Sequence, residues 1–283
     1  MLINMKKITN DLIQKFKTYL INEEKSSATL EKYIRDVIAF MQWLNDRAVE
    51  KVVVIEYKQN LIEHYAPASA NSMLSSINSF FEYVEWFDCK VKTFKIQKQI
   101  FANKDKELSK EEYERLLVAA KKKQNIKLYM LMQTICSTGI RVSELRYITT
   151  DAVRKGEAVI NCKGKMRVVI LPNQLCKMLT SYIREQRILS GSVFVTKNGK
   201  PLDRSNIWKL MKELCESAGV SKDKVFPHNL RHLFARTYYS LEKDVVRLAD
   251  ILGHSNVNTT RIYTMETGEQ HRIQIQRLGL LQS

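Results

Sequence analysis

Residues 158–171 read Ala158-Val159-Ile160-Asn161-Cys162-Lys163-Gly164-Lys165-Met166-Arg167-Val168-Val169-Ile170-Leu171. Two runs rich in β-branched residues flank a short polar turn that contains a glycine, which is the pattern of a β-hairpin. This stretch decides the fold class, because most of the chain around it has helical periodicity. A third strand is predicted over Ser192–Thr196, running into Lys197-Asn198-Gly199-Lys200, a second turn signal. Downstream of that turn the helical pattern returns. Ser205 can cap a helix over Ile207 to Cys215, and helices continue toward the end. Upstream of the hairpin, Ile126 to Cys136 reads as a buried helix that ends near Gly139. Before it, Ser109-Lys110-Glu111-Glu112 forms a capping box ahead of Tyr113, Leu116 and Leu117.

Further upstream, residues 89–107 are polar and Lys-rich with no sustained period. A linker is placed at 96–107. The first 95 residues carry their own apolar stripes. Leu12, Ile13, Phe16, Tyr19 and Leu20 mark one helix. Leu30, Tyr33, Ile34, Val37, Ile38, Met41 and Leu44 mark a second, capped by Ser26 or Ser27. A shorter helix is predicted over Val53–His64. Pro67 breaks the chain, and Met73, Leu74, Ile77, Phe80, Phe81 and Val84 form the fourth stripe. The expectation is a mainly α protein: a four-helix N-terminal domain over 1–95 and a mixed α+β domain over 108–283 with a small antiparallel sheet.

The chain has 283 residues, which favours two domains over one. It holds 46 Lys+Arg against 30 Asp+Glu. Residues 1–107 hold 16 basic and 14 acidic side chains, whereas 108–283 hold 30 and 16. A surplus of that size on one part of a chain points to a polyanion, nucleic acid first and an anionic membrane surface second. A basic surface that serves only solubility is the third reading. No apolar run approaches the ~20 residues of a membrane helix. Met1–Leu20 lacks the apolar core of a signal peptide, so nothing points to export. Five cysteines at long spacings, without a CxxC pair, suggest reduced cytosolic thiols rather than a disulfide framework or a zinc site.

Four polar segments stand where helix packing alone would not call for them. They are Thr138-Gly139-Ile140-Arg141-Val142-Ser143-Glu144-Leu145, Pro227-His228-Asn229-Leu230-Arg231-His232, Leu252-Gly253-His254-Ser255 and Thr259-Thr260-Arg261-Ile262-Tyr263-Thr264. Singly, each has an ordinary structural reading: a solvated arginine, a capping histidine, a core tyrosine. Together they form a set. His228 and Arg231 are three apart and share a helix face. A guanidinium offers two parallel donors to a phosphate. Arg141 follows Gly139 at a helix break, where an anion would also meet free backbone N–H groups. Lys163 projects from the hairpin turn, and Tyr263 completes an activated-nucleophile set without a metal-ligand cluster.

On these residues the chain resembles the tyrosine recombinase (phage integrase) family. Its signature is an Arg in T-G-[LI]-R-x-S-E-L, a Lys in a β-turn, H-x-x-R, then L-G-H-S and a Tyr nine residues after that His. Here these are Arg141, Lys163, His228 with Arg231, His254 and Tyr263. The resemblance covers the whole chain and is nearest in layout to the two-domain, Xer-like members. It leaves no room for the extra arm-binding domain of larger integrases. Residues 1–95 resemble the core-DNA-binding (SAM-like) domain and 108–283 the catalytic domain with its C-terminal tail. The turn is one residue shorter than the usual K-G-x-K-x-R, so Lys163 or Lys165 could reach the site; Lys163 is preferred. Met265 stands where many relatives have His.

The resemblance implies that Tyr263 attacks a DNA phosphodiester to form a 3′-phosphotyrosyl bond and free a 5′-hydroxyl. Arg141 and Arg231 would clamp the non-bridging oxygens, and Lys163 would protonate the leaving oxygen. His228 and His254 would bond the same phosphate or assist deprotonation of Tyr263. Glu144 either holds Arg141 or serves as a helix-dipole acid, and His232 is read as a supporting or core residue. No cofactor or metal is implied. The partners would be double-stranded DNA with paired recombination sites, gripped by both domains, and a homo-tetramer on synapsed DNA, with room for an accessory DNA-bending protein. The enzyme would be cytoplasmic, at the bacterial nucleoid. The runner-up readings are a type IB topoisomerase-like enzyme and a catalytically silent DNA-binding protein. The apolar residues after Tyr263, among them Ile273, Ile275 and Leu278, must be covered by the chain's own domain or by a neighbouring protomer.

Overall fold

The four N-terminal stripes become four helices in the computed structural model: α1 (Asn10–Asn22), α2 (Ser27–Leu44), α3 (Lys51–His64) and α4 (Pro67–Tyr83). The structure describes residues 6–96, 104–162, 165–196, 198–264 and 268–278. Three of the four starts have a local cause. Thr9 and Ser26 accept from the backbone N–H of Leu12 and Thr29. Pro67 stands in the first turn of α4, where its missing N–H would have had no partner. The third helix begins two residues earlier than its apolar pattern suggested. The faces meet in a core that includes Phe16, Phe40, Leu74, Ile77, Phe80 and Phe81, all fully buried. Buried Asp36 of α2 accepts from Lys32 at 2.7 Å and from Ser76 of α4 at 2.8 Å, so a paired charge ties two helices together.

The chain divides into two compact units, Met1–Lys98 and Gln99–Ser283. Most of the predicted linker, 97–103, lies outside the described residues, and Lys104–Lys106 forms a 3₁₀ turn. The second unit opens with α5 (Lys110–Lys122), whose Ser109 and Glu112 form the predicted capping box. Next comes α6 (Ile126–Thr138), with buried residues on most of its faces. It stops at Gly139, whose φ of +65° and closeness to the Phe234 ring leave no space for a Cβ.

A 3₁₀ segment (Val142–Tyr147) and α7 (Thr150–Lys155) lead into the hairpin. Its strands β1 (Glu157–Cys162) and β2 (Lys165–Ile170) pair antiparallel, with Glu157 opposite Ile170 and Cys162 opposite Lys165. The turn residues Lys163 and Gly164 lie outside the described residues. After the hairpin comes α8 (Asn173–Glu185).

Two expectations are corrected here. Ser192–Thr196 is not a strand of the sheet; it makes isolated bridges only, Ser192 to Thr149 and Val195 to Pro201. Its backbone bonds run to Ile148 and Lys200 instead, and Val193 and Phe194 plug the core. Pro201, with no N–H, cannot extend a ladder. The Asn198-Gly199 turn does form, closed by Thr196 N–H donating to the Lys200 carbonyl at 2.7 Å. The helix expected over 207–215 is instead α9 (Arg204–Lys212) followed by α10 (Cys215–Ala218). Asp203, not Ser205, caps α9, accepting from Asn206 N–H at 2.9 Å. The remaining elements are α11 (Pro227–Glu242), α12 (Val245–Leu252), 3₁₀ turns at Val257–Thr259 and Arg261–Tyr263, and α13 (Gly268–Arg277). Among the described residues no helix is long and apolar enough to cross a membrane.

Candidate active site

Helix α11 packs against α6 and α12, and this places the residues of four separated segments together. Arg231, on α11, is only 1% exposed. Its Nη1 donates to the Gly139 carbonyl at 2.7 Å and its Nη2 to the Leu252 carbonyl at 2.8 Å. Both carbonyls belong to residues at helix C-termini, which lack intrahelical donors and favour a cation. Burial, then the nearby Arg141, pulls the Arg231 pKa down to about 10, so it stays charged at neutral pH. The same Nη2 lies 2.9 Å from His254 Nε2, and His254 Nδ1 lies 2.8 Å from Thr260 Oγ1.

Arg141 begins the 3₁₀ segment that follows Gly139. Its Nη1 donates to Glu144 Oε1 at 2.9 Å and its Nη2 to the Gly253 carbonyl at 3.3 Å. Glu144 is buried and takes a second guanidinium, Arg167 of β2, at 2.7 Å. Burial pushes the Glu144 carboxyl up. The Arg141 backbone N–H and the Arg167 and Arg141 side chains outweigh that and hold it below the ordinary carboxylate range. Glu144 is therefore a shared counter-ion for two arginines, which decides between its two sequence readings. The expectation of free N–H groups after Gly139 holds only beyond Arg141, because the first three N–H groups are taken within the chain. Arg141 N–H donates to Glu144 Oε2 at 2.9 Å, Ile140 N–H to Thr138 Oγ1 at 3.3 Å and Gly139 N–H to Ile135 at 2.9 Å. Val142 and Ser143, which open the 3₁₀ segment and line the same cavity as Arg141, have N–H groups without an acceptor among the described residues, so an anion here would meet them as well as side chains.

Arg141, His228 and Arg231 line one cavity of about 470 Å³, together with Arg204, Trp208, Phe226 and Ile140. Three arginines around an apolar floor suit a phosphate flanked by sugar. Partial burial and the charges of Arg231, Arg204 and Arg141 lower the His228 pKa, so it is neutral at neutral pH. Tyr263 is 5% exposed and packs with Ala235, Leu248 and Leu252. Its ring meets the edge of His232 at 5.0 Å between centroids and stacks beside His254 at 6.3 Å. Burial raises the phenol's pKa, while the charge and hydrogen-bonding pull of Arg231 opposes it. His232 also touches the His228 ring at 4.2 Å, and its Nε2 is buried without a partner among the described residues. Burial, then His228 and two arginines, drives its pKa down to about 3.

Of the six residues expected from sequence, five are brought together: Arg141, His228, Arg231, His254 and Tyr263. Lys163 lies outside the described residues. Sequence reasoning missed the structural parts of Arg167, Thr260, Arg204 and Trp208. Arg167 and Thr260 stand inside the quoted motifs, but no local pattern says that one reaches Glu144 or the other His254. Among the described residues no group of three or more His, Cys, Asp or Glu could hold a metal ion.

A family model, the phage integrase family, matches residues 106–270, and the family's N-terminal SAM-like domain matches 13–86. The chain belongs to the phage integrase family. It is 30% identical over 272 residues to "Tyrosine recombinase XerA" of Thermococcus kodakarensis, covering 93% of this chain and 93% of that protein. Its fold is similar to that of a lambda integrase (75–356) dimer bound to a COC′ core site. The TM-score is 0.74 at 17% identity, covering 92% of this chain and 96% of that one. A lambda integrase tetramer bound to a Holliday junction has the same TM-score at 16% identity, covering 92% and 78%.

Proposed function

We propose that this chain is a site-specific DNA recombinase that cleaves and rejoins DNA through a 3′-phosphotyrosyl intermediate, with Tyr263 as nucleophile. The observation that carries the site assignment is the convergence of Arg141, His228 and Arg231 on one cavity, with Tyr263 packed beside Arg231 and His254. The scissile phosphate enters between the guanidiniums. Neutral His228 takes the phenolic proton as the Tyr263 oxygen attacks phosphorus, the P–O5′ bond breaks, and the leaving 5′-oxygen takes a proton from Lys163 to become the 5′-hydroxyl. The pentavalent transition state carries extra negative charge, which Arg141 and Arg231 stabilise; one such contact is worth about 10²–10³ in rate. The bond to tyrosine keeps the phosphodiester energy, so rejoining needs no ATP.

The partner is double-stranded DNA, and the surplus of 14 positive charges in residues 108–283 supports that reading. Two sites would exchange strands in a tetramer, a reading supported by the fold shared with the junction-bound tetramer. The proposed DNA substrate is the ground on which we read the enzyme as cytoplasmic. A nicked suicide duplex, which loses the attacking 5′-hydroxyl after cleavage, tests the proposal. Wild type is expected to accumulate a covalent DNA adduct. Tyr263→Phe is expected to bind DNA within about twofold and to form none. An adduct with Tyr263→Phe sinks the nucleophile assignment; no adduct with wild type on its own site favours a silent binding protein.

A further inference from the structure

We infer that Thr260 is a positioning residue for Arg231, acting by fixing which nitrogen of His254 carries the proton. The inference rests on the reading above, in which Arg231 holds the phosphate. A guanidinium has only N–H donors and cannot accept. Arg231 Nη2 lies 2.9 Å from His254 Nε2, so Nε2 must present its lone pair. In the neutral ring the proton is then on Nδ1, and Nδ1–H donates to Thr260 Oγ1 at 2.8 Å. Burial and the charges of Arg231, Arg141 and Arg167 pull the His254 pKa down to about 4, which keeps a second proton off the ring.

Thr260 is 0% exposed, so water cannot take over its role as acceptor. Without the hydroxyl, Nδ1–H of this half-buried ring would lose its acceptor. The ring escapes that state by moving its proton to Nε2. There it would point at the guanidinium, donor against donor, and push Arg231 off its seat between the Gly139 and Leu252 carbonyls. Thr260 has a second task. Its carbonyl accepts from Tyr263 N–H at 3.0 Å and so closes the 3₁₀ turn that carries the nucleophile. One residue thus links the seating of Tyr263 to the setting of the phosphate clamp.

Imidazole ¹⁵N–¹H correlation spectra of the full chain read the tautomer directly, with His254 assigned by its loss in His254→Gln. The expected result is an Nδ1–H ring in wild type and in Thr260→Ser. Thr260→Val should show Nε2–H. Cleavage of the suicide duplex should fall about 10–100-fold in Thr260→Val, by analogy with the loss of a hydrogen bond that orients a metal-bound imidazole. Thr260→Ser should restore it and bind DNA as wild type does. An Nε2–H ring in wild type overturns the inference, and so does Thr260→Val with unaltered tautomer or unaltered cleavage. Should Thr260→Val fail to fold, the wild-type spectrum and Thr260→Ser still decide. The tautomer is read without any reaction, so failure of the recombinase reading would show separately, as a wild-type protein that forms no adduct.

Discussion

Tyr263 begins as a poor nucleophile: its free phenol has a pKa near ~10, and burial raises it further. Arg231, by its charge and its hydrogen bond, and the charges of Arg141 and Arg236 work in the useful direction. The leaving 5′-oxygen has the opposite need, a proton, and Lys163 at the hairpin turn is the proposed donor. Lys163→Ala is therefore expected to slow cleavage far more than Lys165→Ala. A bridging 5′-sulfur, which leaves without a proton, should rescue Lys163→Ala; rescue of Lys165→Ala instead would move the general acid two residues along. Glu144 gives a different kind of test. Its side chain is 2% exposed and pairs with both Arg141 and Arg167. Glu144→Gln removes the negative charge and leaves two guanidiniums facing a neutral amide. Breaking a buried pair costs about 3–5 kcal/mol, and urea denaturation should show a loss near that range. Cleavage should fall as Arg141 loses its anchor. A variant as stable and active as wild type would show that Glu144 is not the counter-ion of both.

At the scale of elements, α11 organises the site. Its His228 and Arg231 face the cavity, Asn229 donates to the Lys106 and Lys224 carbonyls, and Arg236 donates to the Leu108 carbonyl. Its two histidines, with His254 after α12, are all held neutral. The native pKa of His232 is about 3 and that of His254 about 4, against an ordinary value of 6.5. Between pH 6.5 and 4 the unfolded chain therefore binds more protons than the native one, and stability must fall as pH falls through that window. The lowered Glu144 carboxyl acts in the same sense, but only below its ordinary value of 4.5. Urea melts at pH 7.5 and 5.0 should show lower stability at the acid end, and His232→Phe should reduce the difference. A flat profile in wild type would mean that these rings are not held neutral by the fold.

Assembly belongs to the whole molecule. Ile273, Ile275 and Leu278 of the tail are 43%, 55% and 62% exposed, so within one protomer these side chains are not covered. Apolar surface of that kind calls for a partner, and a neighbouring protomer is the proposed one, coupling one site to the next around a tetramer. Deleting residues 270–283 should leave binding to a single DNA site intact and weaken cooperative filling of paired sites. Gel-shift titration of one-site and two-site DNA measures this. Equal cooperativity and full recombination by the truncated chain would leave the tail as a local cover.

Much of this protein follows from sequence alone. The N-terminal apolar stripes set four helices because a period near 3.6 can bury one face only as a helix. The hairpin follows from two β-branched runs around a turn. These features are local, and local physics determines them. The segment 192–196 reads as a strand from sequence because a short apolar run looks alike whether it pairs in a sheet or plugs a core. The choice was made by Ile148 and Pro201, which no window around the segment weighs together. The use of the N–H groups after Gly139, the double pairing of Glu144 and the Thr260–His254–Arg231 chain also had to wait for tertiary structure. Each joins residues brought close only by the packing of α6, α11, α12 and β2, and a hydrogen bond is decided by distance in space, which spacing along the chain does not carry.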